Sequence, residues 1–356
     1  MSYDPASFPK TVFSGSYPTG HCQGIAVDCE KRVIYYSFTT QLVKTDFEGH
    51  FLGSVTGLIG HLGCIAFNRA DGRVYGSLEY KNDVIGRGIL RGLGRDPDSI
   101  ENAFYIAVFD GDKITSPGMD AERDGIMRAA FLKRVTDDYL GTAENGKPHV
   151  RGCSGIDGTA IGPTPGSADG KPYLFVAYGI YSDHDREDND YQVLARYDLA
   201  ELDRCARPLS QSAMHKSGAE MKEELYFVYT GNTDFGVQNL EYDPYQNVYY
   251  LAVYPGSKPQ YPNFPMFTVD ASIPAKVQAL RGQRGAEGKV LSLTADGILH
   301  EASGVRGWRY PYGSTGFAAL GGGYYYVSYE GRDAAGHNTT VRLCRRNGTD
   351  PIEPIE

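Results

Sequence analysis

The chain lacks the features that would commit it to a membrane, an export route or a nucleic-acid partner. Its first residues, Met1-Ser2-Tyr3-Asp4-Pro5, carry neither a basic segment nor an apolar one, so no secretory leader is expected. No window approaches the run of about 20 apolar residues that a spanning helix needs, so no membrane association is expected either. Lys and Arg number 35 against 44 Asp and Glu, a formal charge of −9, and the clustered cations on which phosphate-backbone affinity rests are missing. The six cysteines (Cys22, Cys29, Cys64, Cys153, Cys205, Cys344) include no C-x-x-C pair and sit in or beside strand segments, where free cysteine acts as a small buried hydrophobe. Together these absences point to a reducing, cytoplasmic setting.

What the chain has in quantity is glycine and tyrosine, 44 and 27 residues, a composition of many turns and aromatic-rich strands. It also has a two-part phrase that occurs five times. The first is Gln23-Gly24-Ile25-Ala26-Val27-Asp28 with Val33-Ile34-Tyr35-Tyr36-Ser37-Phe38. The others begin at Gly63, Ser154, Gln238 and Thr315, with second halves at 74–79, 173–178, 248–253 and 324–329. Each reads as a short strand, a polar or Gly turn and a second strand rich in aromatic and β-branched residues. Repetition at this spacing implies an array that closes on itself, so 356 residues are read as one all-β domain spanning 1–356.

The repeats divide the chain into units at about 20–57, 60–136, 152–231, 236–294 and 313–346, with a sixth unit conceivable only within 111–150. The strand 10–15 has no neighbour in sequence, and the last unit has one strand fewer than the first. Pairing those two would close the ring without leaving an open edge. Third strands are expected at 42–46, 104–110, 191–198 and 264–270, and four of the repeats end such a strand at an Asp, which starts a turn. Outer strands are expected at 50–56, 224–230, 129–136 and 277–292. Helical inserts are expected at 119–133, 198–205 and 211–223. The Gly- and Arg-rich run 86–95 reads as a lid-like loop, and the charged run 183–190, which lacks the Gly and Glu of an EF-hand loop, as a solvated acidic loop.

Alternating strand directions bring the loops entering each first strand to one face, together with the long second-to-third loops, where function concentrates. That face gathers a polar belt of Gln23, Ser154, Gln238, Asn239, Ser314 and Thr315, which can hold ordered water or a hard cation such as Ca²⁺ in the channel. His21 and His61 occupy equivalent positions in adjacent units, and Glu79 points the same way. The three are candidate metal ligands or an acid–base set, and equally residues that brace strands to neighbouring units. Asp157 and Glu241 are the acids placed within the first strands, so they join His21, His61 and Glu79 as catalytic candidates. The opposite face carries plain turns such as Asp243-Pro244-Tyr245-Gln246-Asn247.

The fivefold phrase resembles five-bladed β-propellers over nearly the whole chain. The resemblance implies a propeller closed by its N-terminal strand pairing with the last blade. Among such propellers, arabinanase-like and fructosidase-like glycoside hydrolases place acids on inner strands, to which Asp157 and Glu241 would correspond, and glycoside hydrolysis uses a pair of carboxylates. Calcium-activated nucleotidases hold Ca²⁺ in the channel, where this chain has Gln, Gly or Ser instead of mouth carboxylates. The expected function is binding of a small polar ligand of carbohydrate type at the mouth by Gln23, Ser154, Gln238, Asn239, Tyr312 and Ser314. Tyr80, Tyr178, Tyr181, Tyr254 and Tyr329 would supply aromatic faces. A hydrolase or lyase at the same mouth, and a protein-interaction scaffold, are the alternatives.

Overall fold

The computed structural model describes residues 3–347 and 351–356. Five antiparallel sheets follow one another around an axis as the blades of a β-propeller. Blade 1 consists of Cys22–Asp28, Val33–Phe38, Gln41–Asp46 and Phe51–Thr56, and blade 2 of His61–Asn68, Arg73–Tyr80, Ala103–Asp110 and Met127–Phe131. Blade 3 runs through Cys153–Pro163, Pro172–Ile180, Tyr191–Tyr197 and Glu224–Tyr229, and blade 4 through Thr233–Asp243, Val248–Pro255 and Met266–Asp270. Blade 5 takes Phe317–Gly321, Tyr324–Asp333 and Gly336–Arg345 from the end of the chain and Thr11–Tyr17 from its start.

That last pairing closes the ring. Val12 lies opposite Val341 and Tyr17 opposite His337, with a bulge between Phe13 and Ser16. The bulge leaves Ser14 to take the Thr339 N–H on its hydroxyl at 2.9 Å, while the Tyr326 hydroxyl donates to the Pro9 carbonyl at 3.0 Å.

The core is five clusters, one in each gap between neighbouring blades. A blade covered on both faces buries successive residues of its middle strands, which is why Val33–Phe38 is buried at every position and lacks the alternation of a half-exposed strand. Tyrosine fills these gaps. Tyr75, Tyr249, Tyr250 and Tyr325 are all fully buried, with hydroxyls that find partners at the blade ends, as Tyr249 does at the Pro163 carbonyl (2.6 Å) and Tyr325 at the Asp243 carboxylate (2.5 Å). The strand-end aspartates act as turn starters: Asp46 accepts from the backbone of Glu48 and His50, and Asp270 from that of Ser272.

Four expectations are corrected. Segment 277–292 does not supply the outer strand of blade 4. Lys276–Ala279 and Glu287–Val290 form a hairpin that adds to blade 3, with Glu287–Val290 parallel to Glu224–Tyr229. Blade 4 instead has bridges from Leu293 and Trp308 at its edge. Segment 119–133 is two strand pieces, Met119–Asp120 and Met127–Phe131, each completing a blade edge, and the helix follows at Lys133–Leu140. A helix does form at Leu199–Cys205, capped by Asp198, whereas 211–223 consists of turns. Finally, 183–190 is folded inward: Arg186 pairs with Asp188 at 2.8 Å, and the buried Lys258 ammonium binds Asp190 at 2.6 Å and the Asn189 side chain at 2.8 Å.

Closure makes one prediction. Val12 is 2% exposed against blade 1, so Val12→Asp places an unpaired carboxylate in the closing gap. It should lower stability by about 3 kcal/mol or more in urea unfolding, whereas the same change at the exposed Phe13 should cost far less.

Candidate functional site

The inner strands carry the site because those of blades 1 to 4 begin with an irregularity. In blade 1, Cys22 pairs with Phe38 and Gly24 with Ser37, so Gln23 is left out of the ladder. In blade 3, Cys153 pairs with Ile180 and Gly155 with Gly179, leaving Ser154. In blade 4, Val237 pairs with Val253 and Asn239 with Ala252, leaving Gln238. A bulged residue is turned away from the sheet's regular alternation, and these three side chains line one cavity of about 310 Å³ at the mouth of the channel. His21, His61, Glu79, Asp157 and Tyr254 line the same cavity.

The electrostatic centre of the mouth is a buried ion pair. Lys81 Nζ lies 2.6 Å from Glu79 Oε1 with both side chains about 5% exposed, and it also donates to the Ser154 carbonyl at 2.9 Å. Glu79 Oε2 accepts the Ile156 N–H at 3.1 Å, and His61 Nδ1 stands 3.4 Å from Oε1 without hydrogen-bond alignment. Burial alone would raise the Glu79 pKa, but Lys81 and then His61 outweigh it and hold the carboxyl below its usual range. Burial likewise opposes the charge on Lys81, which Glu79 and Asp83 restore, so the ammonium is held more firmly than in water. Only glycine fits beside this pair: Gly155 has a φ of +123°, and a Cβ there would stand 2.2 Å from Glu79 Oε2.

Asp157 differs. It sits in a second bulge of the same inner strand, with Oδ1 accepting the Cys64 N–H at 3.1 Å, and Gly63 leaves the room it occupies. Burial lifts its pKa to about 7; His61 pulls it down and the Glu79 charge pushes it up. Near neutrality the mouth thus holds an ionised carboxylate and a carboxyl that is partly protonated. His21 is lowered by its burial, against the pull of Glu330, and its Nε2 is 3.1 Å from the Gln23 amide nitrogen. Gln23 also donates to the Thr39 hydroxyl at 3.3 Å.

The apolar walls are Ile156, Phe235 and, from above, Ile85 and Ile89 of a helix α1 (Val84–Gly92). This helix occupies the run read from sequence as a loop, so that expectation is corrected. The Asp83 side chain caps it by accepting the Gly86 N–H at 2.9 Å, and Leu90 is buried beneath it. Gly86 is needed for close approach, since a Cβ there would lie 1.9 Å from the Lys81 carbonyl oxygen.

The other sequence candidates lie elsewhere. Asn239 is below the mouth, where its amide donates to the carbonyls of Gln23 (2.9 Å) and Ser314 (2.8 Å), tying blades 4, 1 and 5 together. Tyr312 stacks on Tyr329 with ring centroids 4.4 Å apart, outside the cavity lining. Tyr80 and Tyr178 are core residues, and Tyr181 bonds Asp83 at 3.1 Å. Glu241 lines a different cavity at the far end of the channel. Among the described residues, no three His, Cys, Asp or Glu side chains converge as a metal-binding group. His21, His61 and Glu79 share the cavity, but the oxygens of Glu79 are engaged by Lys81 and Ile156. Sequence reasoning missed Lys81, Thr39 and the lid residues Ile85 and Ile89. The Glu-x-Lys spacing of Glu79 and Lys81 was the available signal, since alternate strand residues share a face.

No family model matches the chain, and no curated protein matches it. Among solved structures, the chain is similar to the PQQ domain of pyranose dehydrogenase from Coprinopsis cinerea (12% identity, 90% of this chain and 81% of that one, TM-score 0.38). It is similar also to a GH43 β-1,3-galactosidase with galactodeoxynojirimycin (9%, 95% and 96%, TM-score 0.42) and to a luciferin-regenerating enzyme (12%, 96% and 96%, TM-score 0.37). At these values the likenesses carry no inference about chemistry. No helix is long and apolar enough to cross a membrane among the described residues.

Two measurements check the electrostatics. Lys81→Met leaves Glu79 buried without its cation and should cost about 3–5 kcal/mol in equilibrium unfolding. Asp157 has a pKa raised in the folded state, so the unfolded chain releases that proton first and stability falls as pH rises from about 4 to about 7. Asp157→Asn should flatten the stability profile by up to about 1.4 kcal/mol per pH unit across that window.

Proposed function

We propose that the mouth cavity binds a small polyhydroxylated molecule of carbohydrate type. The observation that carries this reading is the convergence of three bulged residues, Gln23, Ser154 and Gln238, from three separate blades into one cavity between apolar walls. Amides and hydroxyls both donate and accept, as do the ring hydroxyls of a sugar, while Phe235, Tyr254 and the two isoleucines of α1 offer faces for its C–H surface. At about 310 Å³ the cavity is at the small end of ligand sites, which suits one sugar unit.

A second reading, a hydrolase or lyase at the same mouth, is favoured by one observation. Asp157 is a buried acid poised near neutrality beside the ionised Glu79, and environments that drive two carboxyls apart are those that divide acid and base roles. In that reading Asp157 delivers a proton and His21, kept neutral by burial, takes one. Glu79, engaged on both oxygens, positions and supplies charge.

The test is thermal unfolding against panels of neutral sugars, sugar acids and nucleotides, followed by chromogenic glycosides. One sugar class at about 100 times its Kd should add about 2.7 kcal/mol of stability, and Gln238→Ala and His21→Ala should each remove most of that gain. Stabilisation by no sugar would overturn the binding reading. Turnover of a glycoside that Asp157→Asn abolishes while sugar binding survives would establish the second reading over simple recognition.

A further inference from the structure

The far end of the channel holds a second cavity, of about 290 Å³. In four blades an inner-strand alanine lies opposite an aromatic residue of the second strand: Ala26 (facing Tyr35), Ala66 (Tyr75), Ala160 (Phe175) and Ala318 (Tyr326). In blade 4 Glu241 faces Tyr250. Ala26, Ala66 and Ala318 line the cavity with their methyl groups, and a single carboxyl, that of Glu241, lines it with them. Glu241 Oε1 accepts the Ala319 N–H at 2.8 Å, and no basic side chain forms an ion pair with it among the described residues.

Arg69, in the turn after the blade 2 inner strand, is on the same cavity. Its guanidinium reaches Cys29 Sγ at 3.9 Å and lies 5.8 Å from the Tyr3 ring, but it has no carboxylate partner among the described residues. Asn68 is engaged in its own turn, accepting the Ala70 N–H at 3.1 Å. The cavity therefore offers one cation without a counter-ion and one carboxyl held by a single neutral donor, over an otherwise apolar wall. A cationic ligand would meet Arg69 unfavourably, and a neutral one would leave its charge unmet.

We propose that this far cavity is a second ligand site, for a small aliphatic monocarboxylate, with Arg69 pairing its charge, Glu241 hydrogen-bonded to it and the cavity alanines holding its alkyl end. The ionisation state fits: burial lifts Glu241 to about 8, against a lowering pull from Arg69 and a push from Asp243, so near neutrality the carboxyl keeps the proton it must donate. The other titratable groups facing this region are Tyr242 on the cavity wall, Cys29, Asp28 and Asp243; burial raises the Tyr242 phenol and the Cys29 thiol. The site is independent of the mouth. Along the blade 4 inner strand, Gln238 faces the mouth and Glu241 the far cavity, while Asn239 between them is 2% exposed and bonded across the channel.

Calorimetric titration of the full chain with sodium butyrate, and with n-butylammonium chloride as the opposite charge, tests it. Butyrate should bind at pH 7 and n-butylammonium should not. Affinity should fall about tenfold between pH 7 and pH 9 as Glu241 loses its proton. Arg69→Gln, at an exposed position, should weaken binding at least tenfold. Glu241→Gln keeps a donor and removes the titration, so it should bind butyrate equally at both pH values. Preference for n-butylammonium, absence of butyrate binding, indifference to Arg69→Gln, or a wild-type affinity unchanged from pH 7 to 9 would each overturn the proposal. His21→Ala should leave butyrate binding unchanged; a loss there would place the ligand at the mouth and overturn it as well.

Discussion

Mutual coverage of blades is the constraint on which everything else here rests. A blade of three or four short strands has two apolar faces and two edges, and cannot bury both faces alone. Each gap between neighbours therefore holds its own buried cluster, and the ring works only when the fifth gap is filled. The chain fills it by bringing Thr11–Tyr17 alongside Gly336–Arg345, so a contact more than 300 residues apart in sequence joins its two ends. The inner strands then stand at fixed angles around an axis, and any irregularity repeated in them appears on one face. The bulges at Gln23, Ser154 and Gln238 line one cavity for that reason, although each is in itself a local slip of pairing.

Within that cavity, the Lys81–Glu79 pair sets the character of the mouth. A buried ion pair is not by itself a strong source of stability, because desolvation offsets the attraction. Its effect here is on the surroundings. Burial keeps Asp157 partly protonated near neutrality, with Glu79 adding to the rise and Lys81 opposing it, and the pair holds the Ser154 carbonyl and the Ile156 N–H at the lip of the cavity. Lys81 also meets Asp83, the residue that caps α1, at 3.6 Å, so the lid over the cavity and the charge within it share one set of contacts.

The fold was legible because its signal is repeated. A short first strand, a polar or Gly turn and a second strand rich in aromatic and β-branched residues recur five times, and repetition outweighs the ambiguity of any one strand. The ring closure was legible from a count of strands. What sequence could not decide was the neighbour of a strand whose turn leaves several within reach: 277–292 read as the edge of blade 4, and the hairpin formed there joins blade 3 instead. Glycines misled as well. Gly86, Gly88 and Gly92 lower helix propensity, yet α1 forms because Asp83 caps it and Ile85, Ile89 and Leu90 have apolar surface to cover. At the mouth, His21, His61, Glu79 and the three bulged residues could be placed from the repeat alone. Lys81 was signalled only by its spacing from Glu79, which puts the two on one face but does not show that the lysine is buried.

The equivalence of positions that exposes the fold also separates what scaffold requires from what it does not. Where four blades carry alanine opposite an aromatic residue, packing is satisfied by a methyl group, and a glutamate in the fifth answers to something other than the shared architecture. A buried carboxyl with one backbone partner carries a desolvation cost that alanine would avoid, so Glu241 is a local departure from the most stable ring. The same comparison applied to the mouth gives the same result: Asp157 is a buried acid in a bulge where blade 2 presents Gly63 and Cys64. The two acids sit at opposite ends of one channel, each raised by burial, each where the repeat is broken.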